Sequence, residues 1–251
     1  MKKIKSKVFI SFAILSGLVL IAIAAFLYLF VFRSVEEEVS LEAAAASVAS
    51  ATRTVTNSVT QQPLGAPTEE PEEQLLVGSW VLSDSQDSFV GYRVDEVLSR
   101  IGEFTAVGRT PNIQAVLEFD GVKVLSVNVI ADLASLKSDS KYRDRALRSQ
   151  AIETDLFPEA EFELVDEIEI IKDYKTGLSQ IREVVGLLTL HGVSREIVIT
   201  VAGTLVDDVL VIVGSYPVVF ADYDIEQPSS RSVVSIEDNG ILEFQLFFVK
   251  P

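Results

Sequence analysis

The pattern of hydrophobic and polar residues divides the chain into three regions that differ in composition and in residue periodicity. Residues 8–32 carry no charged side chain, residues 33–77 are mostly polar residues and alanine, and residues 78–251 contain many short runs in which apolar and polar residues alternate. Alternation with a period of two is typical of β-strands that bury one face. Turn residues such as Asp120-Gly121 and Asn239-Gly240 separate these runs. The pattern therefore predicts an antiparallel barrel or sandwich over residues 78–251.

One segment breaks the alternation. Between Ser138 and Ile152, the apolar residues Tyr142, Ala146 and Leu147 recur at helical spacing among charged residues. Such spacing is typical of a helix with one buried face, and Asp139 stands where an N-terminal cap is expected. The sequence therefore predicts one short helix inserted among the strands.

Residues 8–32 are long enough to cross a membrane. A helix of these 25 uncharged residues, at about 1.5 Å per residue, spans the roughly 30 Å hydrocarbon core of a bilayer. A cleaved signal peptide is the alternative, because Ala22-Ile23-Ala24 offers a small-residue cleavage site, but its apolar stretch is usually only about 7–15 residues long. Cleavage there would also leave the apolar run Phe26–Phe32 near the new N-terminus. We therefore expect an uncleaved membrane anchor.

Basic residues predict the orientation of this anchor. Four lysines lie within residues 1–7, whereas only Arg33 follows the span directly. Because lysine and arginine stay preferentially on the cytoplasmic side, residues 1–7 are expected to be a cytoplasmic tail, with the rest of the chain outside. Residues 33–77 then form an extracytoplasmic linker. Helix propensity is high in its first part, and its second part, rich in Thr, Gln, Pro and Glu, is expected to be disordered.

Charge and composition argue against several classes of function. The net charge is −16, and the basic residues around the anchor make the outer part more acidic still. Such a surface repels phosphate backbones, so we predict no nucleic-acid binding. The chain has no cysteine and one histidine, which excludes disulfides and thiolate chemistry and makes a zinc or copper site a poor hypothesis. We predict no metal site.

The segment Gly186–Ile199 carries the most specific motif of the chain. It fits the pattern G-x-L-T-I/L-H-G-V/I-S/T-R/K, and this pattern resembles that of the YceI-like family of bacterial polyisoprenoid-binding proteins. Three further segments resemble motifs of the same family in the expected order: Trp80–Asp84, Arg143–Ser149 and Phe157–Phe162. The resemblance covers essentially all of residues 78–251.

This resemblance implies a mainly β fold, an elongated antiparallel eight-stranded lipocalin-like β-barrel with one short inserted helix. In this chain a single N-terminal transmembrane helix and a linker are expected to precede the barrel. The interior would form an apolar tunnel for a long isoprenoid chain, such as a quinone tail or a polyprenyl phosphate, without catalysis. No cofactor is implied apart from such a bound lipid or quinone. We expect a single-pass protein of a bacterial cytoplasmic membrane, with its barrel domain in the periplasm or at the cell surface.

The apolar face of the alternating strands supplies the candidate tunnel lining. Alternation shows which side chains point inward, but a filled core and an open tunnel give the same pattern. A filled barrel corresponds to a second hypothesis, a cell-surface module that binds a protein partner. The residues predicted to line the tunnel are Leu117, Phe119, Val127, Val129, Phe162, Leu188, Leu190, Ile197, Ile199, Val218 and Phe244.

Arg143, Arg145 and Arg148 form the one basic concentration in the predicted domain. They are candidates for contact with a lipid headgroup, because guanidinium groups bind phosphate or quinone oxygens in a forked geometry. The alternative is a solvent-facing helix with internal ion pairs such as Asp144–Arg148. The sequence leaves both interpretations open.

His191 is the one candidate for catalysis, with Thr189 and Ser194 close to it in sequence. A serine–histidine pair needs a hydroxyl within hydrogen-bond reach and an acid that orients the ring, and the chain contains no nucleophile-elbow motif. We therefore predict that His191 fixes its turn through hydrogen bonds and that the protein is not an enzyme. An exported hydrolase is the third hypothesis.

Overall fold

The computed structural model describes residues 36–56, 76–171 and 177–251. The chain divides into two units, Met1–Glu37 and Glu38–Pro251, and every described helix and strand belongs to the second unit. The predicted membrane anchor at residues 8–32 and the predicted cytoplasmic tail lie outside the described residues. No helix in the described ranges is both long and apolar enough to cross a membrane.

Short β-strands make up most of the second unit. The strands are β1 (Gly78–Leu82), β2 (Phe89–Leu98), β3 (Gly102–Thr110), β4 (Ile113–Phe119), β5 (Lys123–Asp132), β6 (Lys137–Ser138), β7 (Glu159–Leu164), β8 (Ile168–Glu169), β9 (Gln180–Leu190), β10 (Val193–Val206), β11 (Val209–Val219), β12 (Val233–Ile236) and β13 (Asn239–Val249). The helices are α1 (Leu41–Thr56) and α2 (Lys141–Ala146), with a π-helical turn (Leu147–Ala151) after α2 and 3₁₀ turns at Leu133–Ser135 and Phe220–Tyr223.

Eight of these strands close into an antiparallel barrel. Their order around the barrel is β1-β4-β5-β7-β9-β10-β11-β13, and β13 pairs back with β1 through Val81 with Val249 and Leu82 with Phe248. The β2–β3 hairpin pairs with the remaining part of β13, and the short strands β12 and β6 pair with this hairpin. The predicted mainly β fold, an eight-stranded antiparallel barrel, is confirmed.

Strands β9 and β10 show how the sequence produces the barrel wall. Val184 and Leu188 of β9 are buried, as are Ile197 and Ile199 of β10, whereas the intervening Val198 is exposed. Successive side chains of a strand point to opposite faces, so one face of each strand lines the interior. A register slip of one residue would turn this whole apolar set toward water, which is why the pairing is well specified.

The turn between β9 and β10 needs a left-handed backbone. His191 has a φ of 51° and Gly192 a φ of 75°, as in the two-residue turns whose twist suits a β-hairpin. A Cβ atom on Gly192 would meet the ring of Phe157, so this position requires glycine for space as well as for conformation. The tight turn leaves His191 only 8% exposed.

Helix α1 packs on the outside of the barrel. Its residues Leu41, Ala44 and Val48 are buried against Val211 and Phe247 of β11 and β13. The spacing of three and four residues places the three helix residues on one face of α1. The first part of the predicted linker is therefore a helix that covers an outward apolar face of the barrel.

A buried ion triad lies on the same outer side of β13. Glu243 is 1% exposed and accepts hydrogen bonds from Arg93 Nε at 2.6 Å and from Arg109 Nε at 2.9 Å. Gly91 lies between Glu243 and Arg109 in the strand order, and a Cβ atom there would collide with the Arg109 side chain. The missing side chain of Gly91 thus gives Arg109 its path to the carboxylate.

Candidate functional site

Two cavities lie inside the second unit and adjoin each other. The first, which we call the barrel cavity, has a volume of about 200 Å³ and lies among strands β5, β7, β9, β10, β11 and β13. The second, the helix cavity, has a volume of about 730 Å³ and lies among the β2–β3 hairpin, α2 with its π turn, and residues 225–233. Val90, Ala160 and Leu242 line both cavities, so the two meet at these residues.

Most of the residues predicted to line a tunnel do line the barrel cavity. This group comprises Leu117, Val127, Val129, Phe162, Leu188, Ile197, Ile199 and Phe244. Leu190 and Val218 line the helix cavity instead. Phe119 lines neither cavity; it packs in the buried cluster around Trp80, after a register shift between Glu118 and Phe119 at the end of β4. Whether these residues contact a ligand stays a prediction.

Polar groups are concentrated at one end of the barrel cavity. Arg182, which lines this cavity, donates to the backbone carbonyls of Glu169 and Ile181 and to Gln180 Oε1 at 2.7 Å. The same Gln180 side chain bonds the backbone N–H and carbonyl of Ile171, each at 3.1 Å. These bonds tie the start of β9 to the segment after β8. Sequence reasoning missed Arg182, although its inward position follows from the alternation of β9.

Of the three predicted arginines, Arg143 is the most buried, and it lines the helix cavity. It donates to Glu96 Oε1 and Asp139 Oδ1, both at 2.5 Å, and its guanidinium lies 5.4 Å from the centre of the Phe104 ring. Burial acts to lower the pKa of Arg143, but the hydrogen bonds and charges of Glu96 and Asp139 raise it above the usual arginine value. The guanidinium is therefore held charged between two carboxylates.

The other two predicted arginines lie away from the cavities. Arg145 and Arg148 are exposed and line neither cavity, and Arg148 donates to the backbone carbonyl of Ala134 at 3.1 Å. Asp144, considered above as an ion-pair partner of Arg148, accepts hydrogen bonds from the backbone N–H and hydroxyl of Ser138. Of the predicted headgroup contacts, only Arg143 is placed where a ligand in a cavity could reach it.

The cap of α2 explains how Arg143 reaches its position. Ser140, not the expected Asp139, is the N-terminal cap and accepts a hydrogen bond from the Arg143 backbone N–H. Asp139 lies outside the helix and is free to pair with the Arg143 side chain four residues later. The cap and the ion pair thus fix the first turn of α2 against the cavity.

Tyr92 of β2 is a cavity residue that sequence reasoning missed. Its ring lies where a Cβ atom on Gly108 would stand, and it lines the helix cavity. The Tyr92 hydroxyl is buried and makes no hydrogen bond within the described residues, and the same is true of Arg143 Nε. Burial raises the pKa of the Tyr92 hydroxyl above the usual tyrosine range, so this group remains a neutral donor.

His191 joins three parts of the chain. Its Nδ1 lies 3.0 Å from the Tyr223 carbonyl, its Nε2 lies 3.2 Å from Glu153 Oε2, and its ring meets the Phe157 ring at 4.5 Å between centroids. Both ring nitrogens are therefore engaged in fixing loops around the turn. The nearby hydroxyls of Thr189 and Ser194 bond each other at 2.8 Å. This geometry supports the structural role of His191 over a catalytic one.

The described ranges offer little for a metal. They contain no group of three or more His, Asp and Glu side chains placed to hold an ion. The barrel cavity is lined almost entirely by apolar side chains, and the helix cavity combines apolar side chains with a few hydrogen-bond donors.

A closed antiparallel barrel with apolar cavities along its interior is typical of proteins that hold a slender apolar ligand. The family model for the YceI-like domain matches residues 80–248, and the chain belongs to this family. The family resemblance predicted from the sequence motifs is thereby confirmed. No curated protein matches the chain.

Two solved structures share the fold at low sequence identity. A polyisoprenoid binding domain from Saccharophagus degradans, implicated in plant cell wall breakdown, is 17% identical with a TM-score of 0.53, and the match covers 68% of this chain and 98% of that domain. Burkholderia cenocepacia BcnA is 18% identical with a TM-score of 0.50, and the match covers 64% of this chain and 95% of BcnA.

Proposed function

We propose that the protein is a non-catalytic binding protein for a polyisoprenoid or similar long-chain lipid. The observation that carries this proposal is the barrel cavity, of about 200 Å³ within the closed ring of strands, together with the helix cavity of about 730 Å³ beside it, which shares three lining residues with it. We propose that one extended chain occupies both, since Val90, Ala160 and Leu242 line both cavities. The name of the Saccharophagus degradans relative, a polyisoprenoid binding domain, supports the same ligand class.

The energetics suit a long apolar chain. Each methylene group moved from water into an apolar cavity contributes about 0.8 kcal/mol, so a five-carbon isoprene unit contributes roughly 4 kcal/mol before the costs of association. Two or three buried units therefore suffice for tight binding with little polar recognition. The many aliphatic side chains along the barrel cavity fit this mode of binding.

The direct test is to extract and identify lipid from the purified full-length chain by mass spectrometry. We expect an isoprenoid lipid at about one per chain. In the matched variants, Ile199→Phe fills the barrel cavity from the inner face, and Val198→Phe places the same ring on the exposed face of β10. Loss of lipid in Ile199→Phe alone supports the proposal. Equal lipid content in both variants, or a wild type that is empty and takes up no added isoprenoid, contradicts it.

We further propose that residues 8–32 anchor the protein in a bacterial cytoplasmic membrane with the barrel outside the cytoplasm. The uncharged stretch and the lysines before it support this topology. The absence of cysteine makes the test simple. In intact cells, a membrane-impermeant maleimide is expected to label Ser126→Cys on β5 and not Ser6→Cys. Labelling of Ser6→Cys alone would show the opposite topology and contradict the proposal.

The second hypothesis, a filled barrel that binds a protein partner, is less well supported. That hypothesis requires an interior filled by the protein's own side chains. The two cavities instead leave room for a ligand. The contacts of His191 likewise support a turn-fixing role over the hydrolase hypothesis.

A further inference from the structure

We infer that the opening of the helix cavity docks on an anionic lipid bilayer, with apolar side chains at the membrane surface and arginines beside the lipid phosphates. Four exposed residues that line this cavity form what we call the cavity rim: Arg100, Ile101, Tyr142 and Arg231. The contact with the bilayer goes beyond the proposed function. Its purpose, the passage of a lipid through this opening, rests on that function.

The first observation is the apolar surface of the cavity rim. Ile101 is 58% exposed and Tyr142 is 85% exposed, and both line the helix cavity. Ile101 belongs to the turn between Leu98 of β2 and Gly102 of β3, where small and polar residues are favoured, and it packs in none of the buried clusters of the described residues. Single exposed apolar residues are common on proteins, but a group of them at one opening indicates an interaction site.

The second observation is a set of basic residues around the same opening. Arg100 and Arg231 belong to the cavity rim, and Lys141 and Arg145 are exposed on helix α2, which contributes other residues to the cavity lining. None of these four side chains forms an ion pair within the described ranges. The whole chain carries a net charge of −16, so this local basic surface is unusual on it and would attract an anionic partner.

The carboxylates of the helix cavity do not cancel this charge. Among the described residues that line the cavity, Glu96 and Asp139 both pair with Arg143 at 2.5 Å, and Glu226 is exposed. One exposed carboxylate is therefore set against the two exposed arginines of the cavity rim and the two basic residues of α2. The unpaired charge at this opening is positive.

A bilayer fits both observations better than an acidic protein does. Tyrosine is enriched at membrane–water interfaces, where its ring is apolar and its hydroxyl reaches the headgroups. Arginine can lay its stem on an apolar surface while the guanidinium remains among phosphates. Behind the rim, the cavity continues along the apolar side chains of Leu98, Phe104 and Ile241, and such a path suits the hydrocarbon region of a membrane.

The test asks whether the cavity rim reaches lipid acyl chains when the full-length protein is reconstituted in vesicles. Because the chain has no cysteine, Ser99→Cys carries a single bimane label at an exposed position of the cavity lining. Ser126→Cys carries the same label at an exposed position that lines neither cavity. Lipids brominated in their acyl chains quench a label on contact. We expect quenching at Ser99→Cys, stronger with phosphatidylglycerol and phosphatidylcholine than with phosphatidylcholine alone, and none at Ser126→Cys.

Two pairs of matched variants on the Ser99→Cys background separate the apolar and the charged contributions. Ile101→Asp should abolish the quenching, whereas Ile181→Asp, at a position that is 66% exposed and lines neither cavity, should leave it unchanged. Arg100→Gln should lower the ratio of docked to undocked chains about fivefold in anionic vesicles. Lys123→Gln, at a side chain that is 39% exposed and lines neither cavity, should leave this ratio within about twofold. Equal effects within each pair would overturn the inference.

The outcomes for docking and for lipid binding can be told apart. Absence of quenching at Ser99→Cys in both kinds of vesicle overturns the docking inference and leaves an acidic protein as the partner of the cavity rim. The proposed function then still stands on the isoprenoid recovered from the purified chain. Quenching at Ser99→Cys in a protein that contains and takes up no isoprenoid supports the docking surface while it contradicts the proposed function.

Discussion

Blocking the junction between the two cavities gives the sharpest test of a continuous lipid path. Ala160 lines both cavities and is 7% exposed. Ala160→Phe would place a ring between the helix cavity and the barrel cavity. A long chain that enters through the helix cavity would then lose access to the barrel cavity.

The size of the effect follows from the buried chain. Each methylene kept out of the barrel cavity costs about 0.8 kcal/mol, which is about fourfold in Kd. One excluded isoprene unit would therefore weaken binding by up to about three orders of magnitude, less whatever the protein recovers by relaxation. Short prenols that fit within the helix cavity should bind the variant as they bind the wild type.

The assay measures Kd for prenols of increasing length. Trp80 is the single tryptophan, is 3% exposed, and packs in one cluster with Leu117 and Phe248 of the barrel-cavity wall, so its fluorescence is a suitable reporter. We expect the affinity to rise with length in the wild type and to level off earlier in Ala160→Phe. Glu159→Phe adds the same ring at the exposed preceding position and serves as the control. Identical length dependence in wild type and Ala160→Phe would refute the continuous path.

Three further predictions concern stability. Removing the buried carboxylate in Glu243→Ala should cost about 3–5 kcal/mol, because Arg93 and Arg109 lose their shared partner; urea unfolding measures this, and a loss under about 1 kcal/mol would show that the triad is not important. His191→Ala should lower the free energy of unfolding by about 1–3 kcal/mol through its lost hydrogen bonds and leave ligand affinity unchanged; a normally stable variant with altered lipid binding would contradict this. Burial raises the pKa of Tyr223 to about 12, above its value in the unfolded chain. The contribution of Tyr223 to the free energy of unfolding should therefore be complete below about pH 10 and fall as the pH rises toward 12. This fall should be smaller in Tyr223→Phe, and an equal fall in both proteins would count against a raised pKa of Tyr223.

The barrel and its inner face could be predicted because strand alternation depends on local sequence. Val184, Leu188 and Leu190 of β9, like Ile197 and Ile199 of β10, stand an even number of residues apart and so share one face of their strand. The pairing of β9 with β10 then places these faces inside. The cavities could not be predicted in this way. A void depends on the volumes of all facing side chains at once, and alternation carries no information on that sum.

The polar part of the site was harder to predict for a different reason. Arg143 differs from Arg145 and Arg148 because it meets Glu96, which is 47 residues away in sequence, and no local pattern shows this contact. Tyr92 occupies an inward position of β2 that any large apolar residue could fill. For α1, the sequence predicted only helix propensity, and the burial of Leu41, Ala44 and Val48 on the barrel wall is a finding of the structure.

The closed ring of strands has a consequence for how fast a ligand can exchange. Each strand of the ring is hydrogen-bonded to a neighbour on both sides, through to the pairing of β13 with β1. A chain held in the barrel cavity, as proposed, would therefore leave by sliding lengthwise and not sideways between strands. Lengthwise withdrawal exposes one methylene after another to water, and the barrier rises with each of them. Contact between the mouth of the barrel and a second apolar medium would remove that barrier. If the protein holds a lipid as proposed, its residence time in water should be long and its transfer on contact with an apolar medium rapid.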